Sequence, residues 1–276
     1  MKKTFAAVFS AVLLCASFFG CKSARQIDIA DYSPIAVVSV YSNSSVPWYV
    51  KNSGRNTDES TTAGGLISSD LNKFIEKDNP EYKTVQERID QAAEILIAAL
   101  EENGVSVKSR EALHESDVYK SSFNKFMQDA DTWTNADGFM ALDYSGKSRN
   151  RKIASQTGAG GTMFAEFIFQ KEKVQDGFFD SRVAARVTLK VYVADAEGEK
   201  VLYKTYSGIS PDSVDYKNGA WERDVVVGYF PGVIESVVNR FIMDYTGHVP
   251  ENASGSSSGE ETESTSLSQS IMHGNQ

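Results

Sequence analysis

The sequence predicts an α/β fold in a single domain, a mixed β-sheet with helices packed on it. Three stretches carry that prediction. Ile35 to Tyr41 is a nearly continuous apolar, β-branched run, the texture of a strand buried on both faces. Thr84 to Asn103 places Ile89, Ala93, Leu96 and Leu100 at helical steps of four, three and four, so they form one apolar stripe. Arg182 to Tyr192 alternates: Val183, Ala185, Val187, Leu189 and Val191 face one way, and Arg182, Arg186, Thr188 and Lys190 the other. That is the period of an antiparallel strand with one wet face.

The remaining elements follow in chain order. A polar stretch from Ser42 to Gly65 succeeds the first strand. Structureless loops of that length are uncommon inside a domain and are often functional. Trp48 and Tyr49, beside Pro47, are therefore candidate contact residues, with a lid folded back on the core as the alternative. Leu66 to Lys77 reads as a short helix. Thr84 and Glu87 have capping-box spacing at the start of the long helix, and Gly104 suits its C-terminal cap. Val105 and Val107 suggest a short strand. Asp117 to Gln128 reads as a helix with Tyr119, Phe123, Phe126 and Met127 inward, and Gly138 to Tyr144 as a second buried strand. Met163 to Lys171 alternates loosely. Asp195 to Glu199 is a hairpin turn in which Gly198 can take positive φ, with Val201 to Tyr206 returning. Trp221, Val225, Tyr229, Val233, Val237 and Phe241 recur every four residues, which predicts a closing helix bent near Pro231.

The strand "NADGFMALDY", the hairpin "RVAARVTLKVYVADAEGEKVLYKTYSG" and the terminal helix together resemble small envelope lipoproteins of the TolB-N/CsgG-like group. That group includes the curli-secretion lipoprotein and a lipoprotein activator of penicillin-binding proteins. The resemblance spans 34–247 loosely, and the long loop after the first strand departs from it. It implies a TolB-N/CsgG-like fold and a non-enzymatic role in binding or assembly. It carries over no catalytic residue. Nothing in the chain resembles the membrane-spanning hairpins of the curli pore.

Both ends of the chain read as something other than fold. Lys2 and Lys3 precede an apolar run from Phe5 to Phe19, a secretory pattern too short for a membrane span of roughly 20 residues. Gly20 followed by Cys21 resembles a bacterial lipobox, although Phe18 and Phe19 stand where Leu and a small residue are usual. The expected organisation is a signal peptide at 1–20, lipidation of Cys21, a tether at 21–33, the domain at 34–247 and a disordered Ser-rich acidic tail at 248–276. Cys15 would be discarded with the signal. Palmitate-like acyl chains at Cys21 contribute roughly 0.8 kcal/mol per buried CH2 and would anchor the protein to the membrane. Lys22, where an Asp would signal inner-membrane retention in some bacteria, favours the outer membrane. Loss of Lys2 and Lys3 takes the formal charge from −9 to about −11, so nucleic acid is an unsuitable partner.

The search for chemistry yields surfaces rather than a catalytic set. The histidines are His114, His248 and His273, with no zinc spacing and no usable cysteine. Thr157 to Thr162 is glycine-rich but lacks the lysine of a phosphate loop, so it reads as a flexible loop and no cofactor is expected. Asp129, Asp131 and Asp137 around Trp133 read as loop and helix-end residues. Lys147, Arg149, Arg151 and Lys152 form a basic island on an acidic chain, a candidate contact for an acidic partner. The wet strand face of Arg182, Arg186 and Lys190, with Tyr192, is a second. The leading expectation is a lipid-anchored envelope protein that binds a protein or glycan partner without being an enzyme. The alternatives are an enzyme or small-ligand binder with a site made by loops 42–65 and 146–161, and a structural surface lipoprotein.

Overall fold

In the computed structural model, the described residues are 27–49, 79–122, 133–140, 142–176 and 180–246. The predicted signal peptide, Cys21, the Leu66–Lys77 helix, most of the 42–65 loop and the tail lie outside them. The described strands are β1 (Ile35–Asn43), β2 (Trp133–Asn135), β3 (Gly161–Asp176), β4 (Asp180–Asp195), β5 (Lys200–Ile209) and β6 (Val214–Asp215). They form one sheet in the order β2-β1-β3-β4-β5, with β6 beside β4. β1 and β3 pair in parallel and the other ladders are antiparallel. The sheet is therefore mixed, as the sequence predicts.

Helices cover both faces of the sheet. α1 (Pro80–Lys83) leads into α2 (Val85–Glu102), which lies with the C-terminal α7 (Phe230–Tyr245) on one face. The stripe Ile89, Ala93, Leu96 and Leu100 is fully buried there, against the odd-numbered residues of β3 and β4. The opposite face carries a smaller core, built by α3 (Arg110–Glu115), α4 (Asp117–Ser121) and α5 (Lys147–Thr157) around Leu113, Tyr119, Ile153 and Phe164. β1 is buried along eight of its nine residues because it has cores on both sides and ladders on both edges. A bulge between Val37 and Ser39 re-aims its outer half.

Several expectations are corrected. None of the described residues of Gly138–Tyr144 is in a strand; β2 takes the ladder beside Tyr41, Ser42 and Asn43 instead. The run is still buried at Phe139 and Leu142, but side chains satisfy its backbone. Ser39 Oγ donates to the Met140 carbonyl at 2.9 Å, and the Tyr119 hydroxyl accepts from Met140 N at 2.9 Å. Thr84 makes no capping box, because its hydroxyl donates back to the Pro80 carbonyl at 2.9 Å and closes α1. Val107 forms only an isolated bridge to Ile35. Residues 147–157, read as part of a loop, are helix α5, closed by Gly158 in the left-handed conformation.

The closing helix breaks rather than bends. α6 (Arg223–Gly228) stops at Tyr229, and α7 restarts with Pro231 in its first turn, where the missing N–H costs nothing. The break shifts the stripe: Val225 is exposed and Val226 buried, followed by Phe230, Val233, Ile234, Val237 and Phe241. Arg223–Tyr245 is long and apolar enough to cross a membrane, yet its apolar face lies in the core of the domain. The hairpin at 195–199 is as predicted, with Gly198 at φ +78°.

Candidate functional site

The site begins where β1 ends. The Asn43 side chain imitates a strand: its Nδ2 donates to the Phe169 carbonyl and its Oδ1 accepts from Phe169 N, both at 2.8 Å. That pairing keeps the chain beside β3 for six more residues. Lys171 N then donates to the Pro47 carbonyl at 3.0 Å, and Tyr49 N to the Lys171 carbonyl at 2.8 Å. Successive extended residues point to opposite faces, so Trp48 and Tyr49 straddle the sheet here.

Trp48 enters an aromatic group with two residues near the C-terminal helices. Its ring centroid lies 5.8 Å from Tyr216 and 5.1 Å from Trp221, and Tyr216 is 5.8 Å from Trp221. Two lysines of β3 lie over these rings. Lys171 Nζ is 5.4 Å from the Trp48 centroid and 5.0 Å from that of Trp221. Lys173 Nζ is 5.5 Å from Trp48 and 4.1 Å from Tyr216. On the other face, the Arg186 guanidinium stacks 3.8 Å from the Tyr49 centroid while its Nη1 donates to Glu172 at 2.8 Å. Trp48, Tyr49, Glu172, Lys173 and Tyr216 together line an open cleft of about 290 Å³.

The two lysines have different duties. Lys171 is buried and meets both oxygens of Glu81, at 2.9 and 2.7 Å. Glu81 is held in α1 by the Asn79 cap. Beside it Arg88 is also buried, its guanidinium 5.3 Å from both Phe169 and Phe230, and burial pushes its pKa down to about 10. Lys173, by contrast, is exposed and makes no ion pair with a described residue.

The other predicted contact residues are not brought to this cleft, or are engaged elsewhere. Of the wet-face trio, Arg186 touches the lining residues Tyr49 and Glu172. Lys190 stands opposite Glu166 in the ladder and pairs with it at 3.2 Å. Glu166 in turn accepts from the Tyr41 hydroxyl, whose pKa is raised by burial first and by that carboxylate second. Arg182 reaches the Ser213 carbonyl and lies 3.9 Å from Asp215. The predicted open cationic face is thus a set of half-buried cross-strand pairs.

The basic island lies at the other end of β3. Gly161 and Lys171 are ten residues apart, about 33 Å at the usual strand rise, so the described parts of loops 42–65 and 146–161 do not converge. On α5, Lys147 pairs with Glu199, and Arg149 binds the Asp143 carbonyl and carboxylate and lies 6.0 Å over Phe164. Burial works to raise the Asp143 pKa, but the Ser145 hydroxyl and Arg149 outweigh it and hold it low. Arg151 and Lys152 point to solvent. At this end Tyr144, Tyr192 and Tyr203 cluster at 5.0 and 5.5 Å; a one-residue register shift between Val193 and Ala194 sets Tyr192 opposite Tyr203, where counting outward from the hairpin turn gives Leu202.

Sequence reading missed Lys171, Lys173, Tyr216 and Trp221. A signal was present: the apolar face of β3 runs Met163, Ala165, Phe167, Phe169 and then breaks to Lys171 and Lys173. Among the described residues no three His, Cys, Asp or Glu side chains gather as a metal site. His114 is bound to the Gly138 carbonyl at 2.9 Å and stands edge-on to Tyr119.

No family model matches the chain, and no curated protein matches it. Among solved structures it is similar in part to a minor lipoprotein from Acinetobacter baumannii, with 12% identity over 57% of this chain and 84% of that one and a TM-score of 0.32.

Proposed function

We propose that the chain is a lipid-anchored, non-enzymatic binding module of the bacterial envelope, of the TolB-N/CsgG-like assembly kind, and that its partner docks on the aromatic–cationic cleft. The anchor is Cys21, and Lys22 in place of an Asp after it favours the outer membrane. The observation that carries the reading is the composition of the cleft. Trp, Tyr and Arg dominate binding hot spots because they bury large, rigid, amphipathic surfaces, and here Trp48, Tyr49 and Tyr216 line one open cleft, with Arg186 stacked on Tyr49. The volume, about 290 Å³, is at the small end of ligand pockets and the mouth is open. That suits a group projecting from a larger partner better than an enclosed small substrate.

The test is photo-crosslinking in intact cells from a benzophenone amino acid at Tyr49, with Met243 on the exposed side of α7 as the comparison position. A discrete adduct from position 49 and none from 243 is expected. Equal yields from the two positions would remove the cleft from the docking surface. The anchor is tested separately: a fatty-acid analogue should label the wild type and not Cys21→Ala.

A further inference from the structure

We infer that the cleft takes an acidic saccharide, with the sugar's C–H face on one ring of the edge-to-face Trp48–Tyr216 pair and its carboxylate or phosphate on Lys173. This rests on the reading of the cleft as the docking surface. The first ground is charge. Lys173 is the exposed cation of the lining, held over two rings and without an ion pair to a described residue, whereas Glu172, the lining carboxylate, is taken by Arg186. The positions of the rings fix the ammonium, so little side-chain entropy is lost when an anion arrives. Deeper in, Lys171 and Glu81 neutralise each other, so the anion-attracting charge of the cleft is that of Lys173. On a chain of net charge −9 this is a local site for an anion.

The second ground is the shape of the chemistry. Aromatic faces carry negative quadrupole density, which favours polarised C–H groups as well as cations. A pyranose ring presents such a C–H face with hydroxyls around its rim, and the lining of the cleft combines aromatic rings with the polar side chains of Glu172 and Lys173. The third ground is what the backbone lacks. A peptide strand docks on unpaired main-chain groups at a sheet edge. Here Lys171 N and O are bonded to Pro47 O and Tyr49 N, and Tyr216 N donates to the Ser181 carbonyl at 2.8 Å. These main-chain groups are already paired, which leaves side chains for recognition at Lys171 and Tyr216.

The experiment is calorimetric titration of the full chain in detergent at low salt. The probes are an oligogalacturonate, the matching neutral galactose oligomer, inorganic phosphate, and phosphatidylglycerol vesicles. The acidic oligomer is expected to bind, more weakly as salt rises, and Lys173→Met to weaken it about tenfold or more, the loss of one charge-assisted contact. Trp48→Leu should abolish binding, and because that change reaches the core, Lys173→Met at an exposed position keeps the test independent of folding. Equal binding of the neutral oligomer, binding of phosphate or vesicles in place of the saccharide, or unchanged affinity in Lys173→Met would each overturn the inference. If no saccharide binds while position 49 still crosslinks a protein in cells, the ligand class falls and the docking surface stands. If both fail, both fall.

Discussion

The two ends of β3 put positive charge to opposite uses. At the Gly161 end, four basic residues crowd one short helix, and two of them are consumed by structure: Lys147 ties α5 to the 195–199 hairpin through Glu199, and Arg149 staples the turn at Asp143 to Ser145. At the Lys171 end, two lysines sit singly on an otherwise apolar strand face, and aromatic rings rather than carboxylates hold the outer one. Density of charge in sequence therefore points to the wrong end. A cation that interrupts an apolar period is the more informative signal, because placing it there is costly unless rings or a buried carboxylate compensate.

The largest effect tests what holds the Lys171 end together. Lys171→Met leaves Glu81 buried without its partner, which typically costs about 3–5 kcal/mol. The measurement is the urea midpoint at constant m-value. The double variant Lys171→Met with Glu81→Leu should recover most of the loss, since an apolar pair of similar volume removes the stranded charge. A Lys171→Met variant within 0.5 kcal/mol of wild type would show that the pair does not organise this end. If the Lys171 backbone and side chain together place Trp48 and Tyr49, crosslinking from position 49 should fall with stability in the single variant and return in the double.

The next effect belongs to the other end. Gly198 is at φ +78°, and a Cβ there would lie 2.2 Å from the Lys147 carbonyl oxygen. Gly198→Ala must push α5 off the hairpin and strain the turn, an expected cost of about 1–3 kcal/mol. Crosslinking from position 49, ten strand residues away, should be unchanged once the variant is folded. A variant that lost crosslinking while retaining wild-type stability would mean that the two ends are not separate.

Much of this fold was legible in sequence, and the misses have local causes. β1, α2, the β4–β5 hairpin and the positive-φ glycine each follow from one strong period or one turn signal. Gly138–Tyr144 failed because an apolar run reports burial, not pairing; Ser39 and Tyr119 side chains satisfy backbone groups that a ladder would otherwise take. α5 failed because its buried face, Asn150, Ile153, Ala154 and Thr157, is half polar and its charges read as loop. Of the site, Trp48, Tyr49 and Arg186 were visible. Tyr216 and Trp221 were not, since nothing in the sequence links a loop after β1 to the turn before α6; the link is made by a side chain, Asn43, acting as a rung of the sheet.

A smaller effect on stability separates binding from folding at the Lys171 end. Lys173→Met keeps the aliphatic stem against Trp48 and Tyr216 and removes an exposed charge. Unfolding should move by less than about 0.5 kcal/mol, while capture from position 49 should drop with the lost ammonium. Unchanged capture would leave the rings, not the cation, as the contact.

The smallest expected effect is the sharpest on the comparison. Arg151 and Lys152 are exposed on α5, the part of the basic island that faces solvent. Surface charges of this kind contribute little to stability, so Arg151→Glu with Lys152→Glu should change neither the urea midpoint nor the adduct from position 49. Reversing two charges does alter the field over the Gly161 end, and a partner steered there would associate more slowly at low salt. Loss of in-cell capture in this double variant, with stability intact, would move the docking surface from the Lys171 end to α5 and the neighbouring Tyr144–Tyr192–Tyr203 cluster.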